Sequence, residues 1–149
     1  MQKDLFLTTY RRAIYDRRKL QLPNQSETAS QPVSRQRKVK IPIIPKFQES
    51  PGDFDDLLLI GFDKTHLEDQ NHLDRMVHFF LYDYRFERVW KNPDNDIEKL
   101  SRYRAVLSPD FSMYLEMAPV MQLYNVFRNR WCGAYWASKG LRVIPTVNW

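Results

Sequence analysis

Ala105-Val106-Leu107-Ser108-Pro109-Asp110-Phe111-Ser112, then a long helix-period stretch from Pro119 to Gly140, then Val143-Ile144-Pro145-Thr146-Val147: this succession decides the fold. Two short apolar runs on either side of one helix read as a strand–helix–strand crossover, the connection that parallel strands require. Polar residues fall where each strand gives out, which is where α/β proteins place their sites. Pro119 suits the first turn of the helix, and Gly140 suits its left-handed end. Val120, Leu123, Tyr124, Phe127, Trp131 and Tyr135 form one apolar side, expected to face the sheet. Gln122, Asn125, Arg128, Asn129 and Lys139 are expected to take the remaining, outward surface.

Working outward, Met76–Leu81 reads as a second strand with bulky apolar residues throughout, as expected when both faces are covered. Leu57–Phe62 is a further strand, separated from it by the polar stretch Asp63–Asp74. Asp83 is expected to cap a helix with Phe86, Val89 and Trp90 on its inner stripe. Pro93 ends that helix and suits the first turn of the next, which runs to about Arg102. Ile41-Pro42-Ile43-Ile44-Pro45 is too broken by proline for a central strand and reads as an extended piece laid against the domain. The fold class is therefore α/β, with a small, mostly parallel sheet and right-handed crossover helices over residues 41–149.

Residues 1–40 read differently. Residues 1–50 hold 11 Lys and Arg against 4 Asp and Glu, whereas residues 51–149 hold 12 against 14. The basic character thus belongs to the leading segment rather than to the domain. A short amphipathic helix is expected over residues 4–20, with Phe6, Tyr10 and Ile14 at four-residue spacing. Residues 21–40 have too few large apolar side chains to offset the entropy of ordering them, and read as a flexible linker. Arg11, Arg12, Arg17, Arg18, Lys19, Arg35, Arg37 and Lys38 are candidate contacts for nucleic acid or an acidic protein.

The single Cys132 allows no internal disulfide and points to a reducing compartment. No apolar run has the length of a signal peptide or a membrane span, so a cytoplasmic protein without membrane contact is expected. Four scattered glycines supply no Walker loop, dinucleotide fingerprint or Gly-x-Ser-x-Gly elbow. Familiar ATP- and NAD-dependent chemistries are disfavoured, and no pattern names a cofactor. His66, His72 and His78, spaced by six, match no short metal-ligand motif. Cys132 reads as a packing residue, and His78 as a hydrogen-bonded core histidine within a strand. The rings of Tyr82, Tyr84, Phe86, Trp90, Tyr124, Phe127, Trp131, Tyr135 and Trp136 are assigned mostly to the core rather than to base stacking.

Asp83, Asp110 and Asn148 all follow strands, with Ser112 two residues past Asp110. In a parallel sheet they converge on one border, where paired carboxylates can hold a divalent metal or split acid and base roles. The bland alternative makes Asp83 a helix cap and Asp110 a turn residue.

Three long stretches carry a resemblance. They are Val77-His78-Phe79-Phe80-Leu81-Tyr82-Asp83-Tyr84-Arg85-Phe86-Glu87-Arg88-Val89-Trp90, Val106-Leu107-Ser108-Pro109-Asp110-Phe111-Ser112-Met113-Tyr114, and Arg128-Asn129-Arg130-Trp131-Cys132-Gly133-Ala134-Tyr135-Trp136 followed by Val143–Trp149. In this order they resemble domain of unknown function 4417, a family met mostly in bacteriophages and mobile elements, over about residues 41–149. The resemblance implies a bacterial or phage-infected cytoplasm and a place among genes of replication or host takeover. It carries over no catalytic role. Relatives are expected to continue beyond the segment matching Val143–Trp149, so a second copy or a partner chain completing the sheet is also expected. The leading functional expectation is a binding or accessory protein that approaches nucleic acid through its basic arm. The alternative is an enzyme with a carboxylate site at the strand ends, of a metal-assisted hydrolase or nucleic-acid-processing type.

Overall fold

The computed structural model describes residues 41–147. The expected helix over 4–20, the linker, all eight basic candidates from Arg11 to Lys38, and Asn148 lie outside the described residues.

Four strands, β1 (Leu59–Gly61), β2 (Met76–His78), β3 (Ala105–Leu107) and β4 (Val143–Ile144), lie side by side in chain order. All three pairings are parallel. β3 has the expected bounds, whereas β1, β2 and β4 are shorter than their apolar runs; β2 and β4 end where the chain turns away at Phe79 and Pro145. Their register aligns Ile60, Val77, Val106 and Val143 in one row, all buried. The next row, Gly61, His78, Leu107 and Ile144, points to the opposite face and is only half-buried. A parallel sheet in sequential order with right-handed crossovers carries its connections on one face, which explains this contrast.

Two connections carry α-helices, α1 (Arg88–Lys91) and α2 (Ile97–Ser101) between β2 and β3 and α3 (Pro119–Ser138) between β3 and β4, while β1 and β2 are joined by a loop with a single 3-10 turn, Phe62–Lys64. Pro93 does not open α2. It lies in a turn between the two short helices, and α2 starts only after Asp96. Asp83 also departs from expectation: it begins a 3-10 turn whose N-terminus has no side-chain cap. In α3, Pro119 occupies the first turn, and the chain leaves the helix through Gly140 at φ +89°. That left-handed conformation costs glycine no steric penalty.

The core is aromatic. Phe79 stacks on Phe62 at 4.9 Å and on Trp136 at 5.7 Å, and meets Phe86 edge-on at 5.4 Å. Trp90 of α1 sets its edge against Tyr124, Phe127 and Trp131 of α3. Ile44 is buried, and its side chain lies against Gly133 of α3, as the extended reading of 41–45 required.

Helix α3 buries Trp131 and Tyr135 of the expected apolar side, but it also buries Asn125, Arg128 and Asn129, whereas Val120 is 65% and Leu123 40% exposed. The polar residues face inward because they fasten the ends of the strands. Tyr82 and Tyr84 are likewise not core residues, with 71% and 74% of their surface exposed.

Candidate functional site

The loops after β2 and β3 meet at the carboxyl border of the sheet. Asp83, seven residues into the segment that starts with Met76, reaches across to Ser112. Its carboxylate accepts from the Ser112 backbone N–H at 3.1 Å and from the Ser112 hydroxyl at 2.8 Å. The side chain that sequence reading assigned to a helix cap instead joins two loops.

A chain of polar contacts continues inward from Ser112. Asn125 donates to the Ser112 carbonyl at 2.6 Å, and Arg128 donates to Asn125 Oδ1 at 2.7 Å. Arg128 also pairs with Glu87 at 2.9 Å, and its guanidinium covers the Phe111 ring at 3.8 Å. A second cluster ties β3 to β4: Ser108 donates to Asn129 Oδ1 at 3.0 Å, and Asn129 donates to the Pro109 carbonyl at 2.8 Å and to Thr146 Oγ1 at 2.7 Å. Thr146 closes the ring by donating its N–H to Ser108 Oγ at 2.8 Å. Buried polar groups are stable only when paired in this way. The result is a rigid seat for the loop Ser108–Ser112.

Asp110 stands on that seat. It is half-buried and has no hydrogen-bond partner among the described residues. Burial, reinforced by the negative charge of Asp83, raises its pKa above the ordinary carboxylate range. Asp110, Ser112 and Arg85 line a groove of about 580 Å³ together with Phe80, Tyr82 and Tyr114. Tyr82 and Tyr84 stack nearly parallel at 5.9 Å, and Arg85 lies 5.9 Å from the Tyr84 ring while pairing with Asp63 at 2.6 Å.

The structure therefore brings together Asp83, Asp110 and Ser112 of the four strand-end candidates. Asparagines 125 and 129 with Arg128 were missed as site-forming residues. The signal available was their recurrence at three- and four-residue spacing on one helix side. Elsewhere, His78 accepts a hydrogen bond from the Phe80 N–H at 3.2 Å, and burial lowers its pKa. Cys132 is fully buried, and burial pushes its thiol up, out of the reactive range. Among the described residues no group of three or more metal-ligating side chains gathers, and no helix is long and apolar enough to cross a membrane.

Comparison with known proteins bears on identity. The chain is 51% identical over 73 residues to the "Gene 1 protein" of Mycobacterium phage L5, covering 49% of this chain and 32% of that relative. It is 48% identical over 73 residues to the "Gene 1 protein" of Mycobacterium phage D29, covering 49% of this chain and 27% of the relative. The match thus spans less than a third of the length of either phage protein. No solved structure matches. The family model described as domain of unknown function (DUF4417) matches residues 37–149, well over half of the chain. With its parallel α/β sheet and these phage relatives, the chain belongs to the DUF4417 family.

Proposed function

We propose that this phage-type protein acts in the cytoplasm of an infected bacterium as an accessory factor in replication or host takeover, by binding single-stranded nucleic acid. The observation that carries this reading is the exposed, parallel Tyr82–Tyr84 pair with Arg85 beside it at the mouth of the groove. Exposed rings next to a guanidinium suit unpaired bases, because every base offers a face to stack on. Phe80 and Tyr114, also exposed, extend the platform. The basic residues of 1–40 would add contacts to the phosphate backbone.

Anisotropy of a labelled oligothymidine at low salt tests the reading. Tyr82→Ala and Tyr84→Ala should each weaken binding by about tenfold, as expected for one lost stack. Replacing Arg35, Arg37 and Lys38 by glutamine should flatten the dependence on salt. Absence of binding at low salt, or a double tyrosine variant that binds like the parent, would overturn it.

A second reading is favoured by the uncommitted Asp110 beside Asp83: an enzyme of the nucleic-acid-processing or metal-assisted hydrolase type. Two neighbouring carboxyls in unlike surroundings can divide acid and base roles. Asp110→Asn should then abolish cleavage of a labelled strand in Mg²⁺ or Mn²⁺ while binding persists.

A further inference from the structure

We propose that a second groove, beside β1 and separate from the strand-end site, binds a phosphate group, either free or on a small phosphomonoester. The groove encloses about 600 Å³ and is lined by Lys64, His66, Glu68, Asp69, His72 and Arg75 next to β1 itself. That is room for a phosphate with a small organic group attached.

The charges in it are not equally available. Asp69 accepts from the Asn71 N–H at 2.9 Å, from the Tyr103 hydroxyl at 3.0 Å and from His72 Nδ1 at 3.1 Å. These donors, led by the Asn71 N–H, bring its pKa down to about 2, and its side chain is nearly buried. Its charge is therefore committed to the protein. His72 is held through Nδ1, which leaves Nε2 of a 40% exposed ring without a partner among the described residues. Arg75 lines the same groove, and no hydrogen bond or ion pair among the described residues engages the terminal nitrogens of its guanidinium. Lys64 is exposed and makes no ion pair among the described residues. Glu68 is the single uncommitted carboxylate of the lining. The available donors, Lys64, His72 Nε2 and Arg75, suit a tetrahedral oxyanion, which accepts charge-assisted hydrogen bonds from several directions.

Titrating inorganic phosphate into the full chain, with the imidazole signals followed by ¹H–¹⁵N NMR, tests the site. Potassium chloride at matched ionic strength serves as control, and adenosine 5′-monophosphate as the second ligand. The expected result is a saturable shift at His72, weakened about tenfold in Lys64→Gln by loss of one charge-assisted contact and strengthened in Glu68→Gln. Both side chains are exposed, so neither change puts folding at stake. Tighter binding of the nucleotide assigns a phosphomonoester, and equal affinity assigns free phosphate. A shift that does not saturate or that chloride reproduces would overturn the site, as would affinity unmoved in both variants.

Discussion

Asp83 accepts two hydrogen bonds from Ser112, at 3.1 Å from its backbone N–H and 2.8 Å from its hydroxyl, and so clasps the loop after β3 to the loop after β2. The two residues are 29 positions apart in the chain. Because Asn125 holds the Ser112 carbonyl from the opposite side, the serine is gripped at both ends of its backbone. The groove that contains Asp110 inherits its shape from this grip.

Asp83→Ala should cost about 2–3 kcal/mol, since hydrogen bonds to a charged acceptor are lost and the Ser112 groups are stranded. Ser112→Ala, which keeps the backbone contact, should cost about 1 kcal/mol. In the double variant the losses should fall short of additive. Urea denaturation of the four proteins measures this, and a neutral Asp83→Ala would contradict the clasp.

Asp110 should behave in the opposite manner. Its pKa is raised in the fold by burial and by Asp83, so the folded chain holds that proton more tightly than the unfolded chain does. Ionisation above the raised value therefore penalises folding, and the penalty lifts as pH falls below it. Asp110→Asn should accordingly be at least as stable as the parent at pH 7, with its advantage shrinking in acid. A clear loss of stability at pH 7 would mean that Asp110 supports the turn instead.

Asp69 runs the other way. Its pKa drops to about 2, chiefly through the Asn71 N–H, with help from Tyr103 and His72. The stability it contributes is complete above the unfolded value near 4 and disappears as pH falls through the folded one. Urea midpoints measured between pH 5 and about 2 should decline less steeply in Asp69→Asn than in the parent.

The orientation of α3 gives a paired test. Asn129→Ala removes bonds to Ser108, Pro109 and Thr146 in a buried place and should cost about 1–3 kcal/mol. Leu123→Ser, at a position 40% exposed, should stay within about 0.5 kcal/mol. Reversed magnitudes in thermal denaturation would restore the arrangement expected from apolar patterning.

Gly133 supplies the last prediction. Alanine ordinarily strengthens a helix by about 1 kcal/mol over glycine. Here its β-carbon would overlap the Ile44 side chain and press on Ser108 Cβ at 3.1 Å. Gly133→Ala should therefore be destabilising, and Ile44→Ala should recover part of the loss, as read from a double-mutant cycle.

How much of this was legible depended on the physical source of each signal. Pro119 and Gly140 bracket α3 because they act through the backbone alone, whatever surrounds them. The four strands were found for a similar reason: bulky apolar runs such as Met76–Leu81 and Val143–Val147 have few other uses. The ends of β1, β2 and β4 were not legible, since strand length is set by where loops are pulled away; β3 alone kept its expected bounds. Part of the inward surface of α3 was missed because Asn125, Arg128 and Asn129 look like surface residues until their partners are known. Apart from the bond between Asn125 and Arg128 themselves, those partners lie 13 to 41 positions away. Asp83 shows the same limit: its local context suited a cap, and a distant serine claimed it. That Asp110 and Ser112 share a border with Asp83 was legible because a parallel arrangement alone brings the loops after successive strands together there.

Among the described residues the strands follow one another across the sheet in chain order, with no later strand inserted between two earlier ones. Each connecting segment can consequently be lengthened, shortened or exchanged without rethreading any other part of the polypeptide. Substitution should therefore be better tolerated in the segments that leave the strands than in the buried apolar row Ile60, Val77, Val106 and Val143. Surveys of sequence diversity should find the fastest change just beyond the strand ends, except at residues such as Asn129 that bind two segments into one.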